Sequence, residues 1–408
     1  MADAHLGYEQ YHQPFRAEDF ARSFRSAVET AVKENVDFVL MCGDVFHKSN
    51  PNPKTIKQAI DILTILKREN VPVFAVEGNH DKTIKDLSIY DLLESLGLLF
   101  KLGLRRRFRK NEFLKSKPLG ELNLVYADFD GLKIFGDTHR SSHHFRLLME
   151  DRYLPDCDVL ALHLSVKEVV DFEVKDDYVT VADLPKARYY ALGHIHIPIS
   201  KKIGDSWFVY PGCPERYDAR EYSKRIEYFE SLKVFEGCRK GFFVVNGFKP
   251  RFVEVESREL VLANVFAKDQ REAVEKVREI QDLLSPESIL VLKVFGENVN
   301  IEDLRSIVER RVKSLRISFE KVQRERKIEI KKLNEVFDEF ELGLLEYLKR
   351  SDFESLMDVV VGYVEREFGI GEFKTLTEFE GGKSEEVKVE EKPTKPKGKR
   401  TLLDFLGG

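Results

Sequence analysis

Residues 36–47 read Val36-Asp37-Phe38-Val39-Leu40-Met41-Cys42-Gly43-Asp44-Val45-Phe46-His47. From Val36 to Cys42 the run is apolar and of strand length, far short of the roughly 18–20 residues that span a bilayer. It closes on a glycine and then on two metal-binding side-chain types, Asp44 and His47. In open α/β sheets, ligands gather at the carboxyl ends of strands. Working outward, Phe20, Phe24, Ala27, Val28, Ala31 and Val32 share one helical face upstream. Downstream, Ile56–Lys67 has the helical pattern and Val71–Val76 that of a strand. Further strands are predicted at Leu122–Ala127, Leu132–Phe135, Val159–Leu162, Tyr189–Leu192 and Trp207–Tyr210. A hairpin is expected near Gly241–Glu256, turning at Asn246-Gly247. Alternation of this kind predicts an α/β layered domain over residues 1–229.

The chain has 408 residues, room for two or three domains, and a hydrophobic content of 42% excludes wholesale disorder. With no membrane-length apolar run and no basic-then-apolar opening, a cytoplasmic protein is expected. Cys42, Cys157, Cys213 and Cys238 are scattered with no CxxC pair, against a zinc knuckle or a disulfide framework. Charged residues reach 34%, against about 25% in ordinary proteins, a bias shared with hyperthermophile proteins. A net charge of −5 argues against a generically basic nucleic-acid binder. Any polyanion would be held locally, by metal ions or basic patches.

The pattern changes after residue 229. Strand 260–266, helix 269–284, strand 289–295, helix 301–313 and strand 315–320 form a β-α-β-α-β block, placing a small α/β satellite domain at 230–320. Residues 321–370 turn helical, with one apolar stretch running from Ile328 to Leu348 and another from Phe353 to Phe368. Such faces either pack on the α/β core or dock a partner. Residues 371–408 are charge-rich and predicted disordered. Within them Gly382-Lys383-Ser384 imitates a phosphate loop, but Thr377 stands where that motif needs a glycine.

Five segments carry the chemistry: Asp3-Ala4-His5, Gly43-Asp44-Val45-Phe46-His47, Gly78-Asn79-His80-Asp81, His163, and Gly193-His194-Ile195-His196. All but the first follow a predicted strand. Asp3 and His5, two apart in extended chain, are expected to project to one side, as can His194 and His196. The preceding glycines allow a sharp exit and close backbone approach. Carboxylate, amide oxygen and imidazole together suit a borderline divalent ion such as Mn²⁺, Fe²⁺ or Zn²⁺ better than Ca²⁺. Seven donors exceed one tetrahedral ion and suit two ions bridged by a shared aspartate, roughly 3.5–4 Å apart. Six of the ten histidines lie in these segments, which makes a chance gathering a poor account of the set. His12 and His139 read as ordinary loop residues, and Ser141-Ser142-His143-His144 as a solvated loop or one that approaches substrate.

As a series, D-x-H, G-D-x-F-H, G-N-H-D, H and G-H-x-H resembles the calcineurin-like metallophosphoesterase superfamily. His5-Leu6-Gly7-Tyr8, Leu192-Gly193-His194-Ile195-His196 and Tyr210-Pro211-Gly212 resemble its double-strand-break repair nucleases, the archaeal Mre-eleven and bacterial SbcD group. The motifs cover residues 1 to about 216; beyond them only the domain order matches. The resemblance implies a four-layer α-β-β-α sandwich with a capping domain at 230–320 and a helical ATPase-binding region at 321–370. It implies two Mn²⁺, the first held by Asp3, His5, Asp44 and His196, the second by Asp44, Asn79, His163 and His194. His80, paired with Asp81, would stabilise the transition state or protonate the leaving oxygen, and His47 would place the substrate phosphate. The implied activity is Mn²⁺-dependent 3′-to-5′ exonuclease and single-strand endonuclease cleavage of DNA ends, in a nucleoid-associated setting.

The same resemblance implies a homodimer and a Rad-fifty-type ATPase docked on the helices near 325–368. Basic clusters at Arg105–Lys110 and Lys201–Lys202 would contact phosphates or remain solvated surface. Residues 399–406, Lys399-Arg400-Thr401-Leu402-Leu403-Asp404-Phe405-Leu406, are similar to a sliding-clamp-binding box, with Lys399 in place of Gln and Leu406 in place of the second Phe. One departure is that family members carry a full apolar strand before the first Asp-x-His, where only two residues precede Asp3 here; a start upstream of Met1 is expected. The alternative is the same metal site acting on a non-DNA substrate, as a phosphatase or cyclic-nucleotide phosphodiesterase. A non-catalytic scaffold would require a damaged metal site.

Overall fold

The computed structural model describes residues 1–83, 87–108, 110–170, 177–296 and 298–321. The helical pair, the tail and the clamp-like box all lie outside them. The architecture is mixed α/β. Helix α1 runs Pro14–Lys33 and α2 Pro53–Arg68; each opens on proline, whose fixed φ and missing N–H suit the first helical position. Asn52 caps α2 by accepting the Thr55 amide at 2.9 Å.

Strand β1 (Val39–Cys42) pairs in parallel with β2 (Val73–Val76), and β2 with β3 (Phe100–Lys101). Because strand side chains alternate, Val39 and Met41 enter one core with Phe24 and Val28 of α1 and Leu63 and Leu66 of α2. Leu40 and Cys42 face the opposite core, shared with Ile134, Val159, Ala161, Ala191 and Val209 of a second, eight-stranded sheet. Burying each such large side chain contributes about 1.5–3 kcal/mol. In that second sheet the strands Leu132–Gly136, Cys157–His163, Ala187–Gly193 and Ser206–Tyr210 run parallel to one another, with antiparallel neighbours at both ends. The parallel first sheet, packed on the parallel centre of the second, thus brings the carboxyl ends of β1, β2, Cys157–His163 and Ala187–Gly193 to one edge.

A five-stranded sheet forms a separate core. Leu260–Ala267, Ile289–Gly296 and Ser314–Lys321 pair in parallel, with helices Gln270–Gln281 and Ile301–Val308 supplying Val277, Ile280, Leu304 and Val308. The expected β-α-β-α-β order is present. The second helix stops at Val308, ahead of the expected 313, and a 3-10 turn at Glu309–Arg311 follows. Two further strands, Lys224–Tyr228 and Leu232–Glu236, extend the sheet at its other edge.

The hairpin Gly241–Asn246/Lys249–Glu254 forms as expected, but its turn lies one residue on, at Gly247-Phe248, because Asn246 pairs with Lys249. Phe248 adopts φ +67°, unusual for an aromatic residue, and its ring sits under the Arg188 guanidinium at 3.9 Å. Phe242 of this hairpin packs on Ala27 and Ala31 of α1.

Candidate metal centre

The strand ends deliver the five segments to one place. Cys42 is in register with Val76, and Gly193 with His163, so the loops that follow leave side by side. Two glycines make the approach feasible. A Cβ on Gly78 would lie 2.0 Å from Oδ1 of Asp44, and one on Gly193 would lie 1.9 Å from the Cys42 carbonyl oxygen and 2.6 Å from Nδ1 of His163. The first segment, expected in extended form, is not extended: Asp3 has φ +56° and His5 φ +43°, alongside +51° at Asp44 and +90° at His194. Left-handed backbone at four non-glycine donors is strain of the kind that gathers at functional sites. Residues 2–6 are held by hydrogen bonds from Asp3 N to Gly43 O, His5 N to Asp44 O and Leu6 N to Val45 O, at 2.9–3.0 Å.

The donor atoms converge in two sets. In the first, Nε2 of His5 lies 3.1 Å from Nε2 of His196 and 3.9 Å from Oδ2 of Asp44, while Oδ1 of Asp3 is 3.8 Å from Nε2 of His196. In the second, Oδ1 of Asn79 is 3.1 Å from Nε2 of His163 and 3.2 Å from Nδ1 of His194, and Oδ2 of Asp44 is 3.2 Å from the same His163 nitrogen. The Asp44 oxygen belongs to both. His194 and His196, two apart in sequence, therefore point to different sets. Three of these imidazoles and two of the carboxylates, with His47 and His80, make up the tight donor groups found among the described residues.

The electrostatics fit cations. Burial pushes the Asp3 carboxyl up to about 6. Asp44 is buried as well, yet the His163 imidazole beside it holds its carboxyl far below the usual range. Burial opposes charge on His163, but Asp44 outweighs it and raises the imidazole to about 9. His194 falls to about 3, and His5 well below its ordinary value, both through burial and neighbouring imidazoles. His5 and His194 thus stay neutral beside shared carboxylates, as a divalent ion requires of its ligands, while His163 would give up its proton as the ion binds.

Around the two sets, His80 donates its Nδ1–H to the His47 carbonyl at 2.8 Å, and the His47 and His80 rings stack at 5.1 Å. Burial and the nearby His80 lower His47 to about 4. Its Nδ1 is buried and has no partner among the described residues. Asp81 does not pair with His80. Its carboxylate accepts the amides of Phe46, Gly78 and Val45 at 2.9, 3.1 and 3.3 Å and the Tyr90 hydroxyl at 2.8 Å. Side chains of adjacent residues diverge, and this one turns inward to bind the two loops together.

Other expectations also need correction. His139 is no bystander: its Nδ1–H donates to the His163 carbonyl at 2.8 Å and its ring lies 5.9 Å from that of His194. Ser142, His143 and His144 open a helix, Ser142–Glu150, capped by Ser141, and do not form a loop. Arg105 is committed internally to Glu94 and Asp91, at 2.6 and 3.2 Å. Tyr8 and Tyr217 escaped the sequence reading of the site. Tyr8 stacks on His47 at 4.1 Å and on Tyr217 at 4.6 Å, and Tyr217 covers His5 and His196. Tyr8 closes the segment His5-Leu6-Gly7-Tyr8, while no motif contains Tyr217.

Parallel strand ends carrying Asp, Asn and His donors around a shared carboxylate define a phosphoesterase, and the calcineurin-like phosphoesterase family model matches residues 1–198. Within that class the chain belongs to the Mre11 family. Over its whole length, and 98% of the relative's, it is 42% identical to the DNA double-strand break repair protein Mre11 of Archaeoglobus fulgidus. It is 28% identical to the protein of the same name from Methanosarcina mazei, over 76% of this chain and 46% of that one. With the Halobacterium salinarum protein the identity is 31% over 55% of this chain and 53% of that one.

Proposed function

We infer that the chain is a DNA phosphodiesterase, a nuclease that processes double-strand breaks. The observation that carries this reading is the doubled donor set joined through Asp44 Oδ2, in a chain alike from end to end to a break-repair protein. Asp3, His5, Asp44 and His196 would hold one manganese ion, and Asp44, Asn79, His163 and His194 the second. When bound, such ions neutralise phosphodiester charge and acidify a water molecule.

The protein's own groups do the rest. With its Nδ1–H given to the His47 carbonyl, His80 presents Nε2 as the atom that carries a proton toward the leaving oxygen. His47, neutral at physiological pH, would place a phosphate oxygen through an imidazole N–H rather than through a charge. Asp81 acts on both through the loops it closes.

Helices over a three-stranded sheet packed on an eight-stranded one support a four-layer α-β-β-α sandwich for the expected 1–229 domain, except that its last strand, Lys224–Tyr228, joins the five-stranded sheet and moves the boundary ahead of Lys224. Residues 230–320 are the DNA-capping domain, 321–370 the docking region for a Rad-fifty-type ATPase, and 371–408 a tail whose residues 399–406 bind a sliding clamp. The working form is a homodimer on DNA ends. Among the described residues, no helix is long and apolar enough to cross a membrane.

Incubation with DNA ends beside p-nitrophenyl phosphate esters, in Mn²⁺ and then Mg²⁺, tests the reading. Cleavage of DNA with Mn²⁺ is expected. Ester hydrolysis without DNA cleavage would move the protein to a small-molecule substrate class.

A further inference from the structure

His196 faces two ways. Its Nε2 belongs to the first donor set, and its Nδ1 lies 3.4 Å from Oε1 of Glu221. The second oxygen of Glu221 accepts the Tyr217 amide at 3.1 Å and the ammonium of Lys240. Lys240 also donates to the His196 carbonyl oxygen at 2.9 Å. It therefore grips the histidine's backbone and the carboxylate that meets its ring. Glu221 is 5% exposed and Lys240 1%.

A buried ion pair is poor evidence of stability. Its desolvation commonly cancels its attraction, and an apolar pair of similar volume is often as stable or more so. Among the described residues Lys240 pairs with no other carboxylate, and the pair lies against the donor set through His196. Of the ring nitrogens that lie outside the two donor sets, those of His163 and His80 meet backbone carbonyls, Cys42 O and His47 O. Nδ1 of His5 is buried with no partner among the described residues. His196 differs in meeting a carboxylate, which fixes the tautomer with Nδ1 protonated and strengthens Nε2 as a donor.

We propose that Glu221, held by Lys240, is a positioning residue for His196 and sets the affinity of the first metal site. The inference rests on the reading of His196 as a metal ligand. It adds a carboxylate that no motif of the sequence signals.

The test is manganese titration by calorimetry on the full chain, which needs no DNA. The parent is expected to bind two ions. In E221L/K240M, which removes both buried charges together and so avoids stranding either, one of the two sites should weaken roughly 10–100-fold while the other is unchanged. In E221Q/K240M the amide oxygen still accepts the Nδ1–H without the negative charge, so the affinity should fall between the two. Parent-like affinity at both sites in both variants would overturn the proposal, and so would equal weakening of both sites, which signals loosened structure. Thermal melting is followed on each variant; should E221L/K240M not fold, parent-like affinity in E221Q/K240M overturns the proposal by itself. A parent that binds no manganese would instead refute the metal-centre reading.

Discussion

The Tyr90 hydroxyl donates to the Asp81 carboxylate at 2.8 Å, and both side chains are shut off from solvent. Tyr90 belongs to helix α3 (Ile89–Ser95), so the bond ties that helix to the loops after β1 and β2, whose amides the same carboxylate accepts. Burial and the nearby Asp44 push Asp81 up to about 7. Tyr90→Phe removes one donor without opening a cavity and should cost about 1–2 kcal/mol. Asp81→Ala strands several buried donors at once and should cost more than Tyr90→Phe. Urea unfolding measures both, and an unchanged midpoint for Tyr90→Phe would show that the hydroxyl is not engaged.

Gly78 is the next point of leverage. Its missing side chain leaves room for Asp44, whose Oδ1 and amide nitrogen would lie 2.0 and 2.5 Å from a Cβ. Gly78→Ala must displace the carboxylate shared by both donor sets. Manganese stoichiometry should fall below two, with far-ultraviolet circular dichroism unchanged. Retention of two ions at the parent's affinity would mean that Asp44 is free to move aside.

How far the sequence spoke depends on what kind of signal each residue leaves. Val39–Cys42 and Val73–Val76 announced themselves because buried parallel strands are continuously apolar, and the glycines after them marked where backbones meet. Lys224–Tyr228 and Leu232–Glu236 went unseen: the first buries only Ile226 fully, and the second is an edge strand with little inside. The turn at Gly247-Phe248 was misplaced by one residue because Asn-Gly is the commoner hairpin signal and the Arg188 stack on Phe248 is a tertiary contact. Adjacency suggested that Asp81 serves His80, whereas burial sends it the other way. Glu221 and Lys240 reach His196 from distant parts of the chain, and no spacing rule encodes that.

His80 offers the cleanest separation of chemistry from metal. Its ring packs edge-on against His5 of the first set at 5.0 Å but belongs to neither set, and its Nδ1 is spent on a backbone carbonyl. His80→Ala should leave manganese stoichiometry unchanged and lower the rate of DNA cleavage by roughly 10²–10⁴. Single-turnover cleavage with saturating manganese measures this directly. A variant that cleaves as fast as the parent would remove His80 from proton transfer.

Asp19 on α1 should govern part of the acid stability. It is wholly buried, accepting Arg16 and Arg258 at 2.7 Å each, and Arg258 lies just ahead of the strand Leu260–Ala267 of the five-stranded sheet. Burial alone would raise its carboxyl, but the hydrogen bonds from Arg258 and Arg16 outweigh that and hold it below the ordinary 3.8. With the folded pKa depressed, the unfolded chain takes up the proton first as pH falls, so stability rises with pH across this window. The contribution is fully present above the unfolded value of about 3.9 and drains away as pH drops through the folded one. Asp19→Asn should therefore lower stability at neutral pH by about 3–5 kcal/mol, the cost of breaking a buried pair. The gap between parent and variant should then narrow below about pH 4. Urea unfolding from pH 7 to pH 3 reads both curves, and a gap that stays constant to the acid end would mean that the Asp19 charge is not what holds α1 to Arg258.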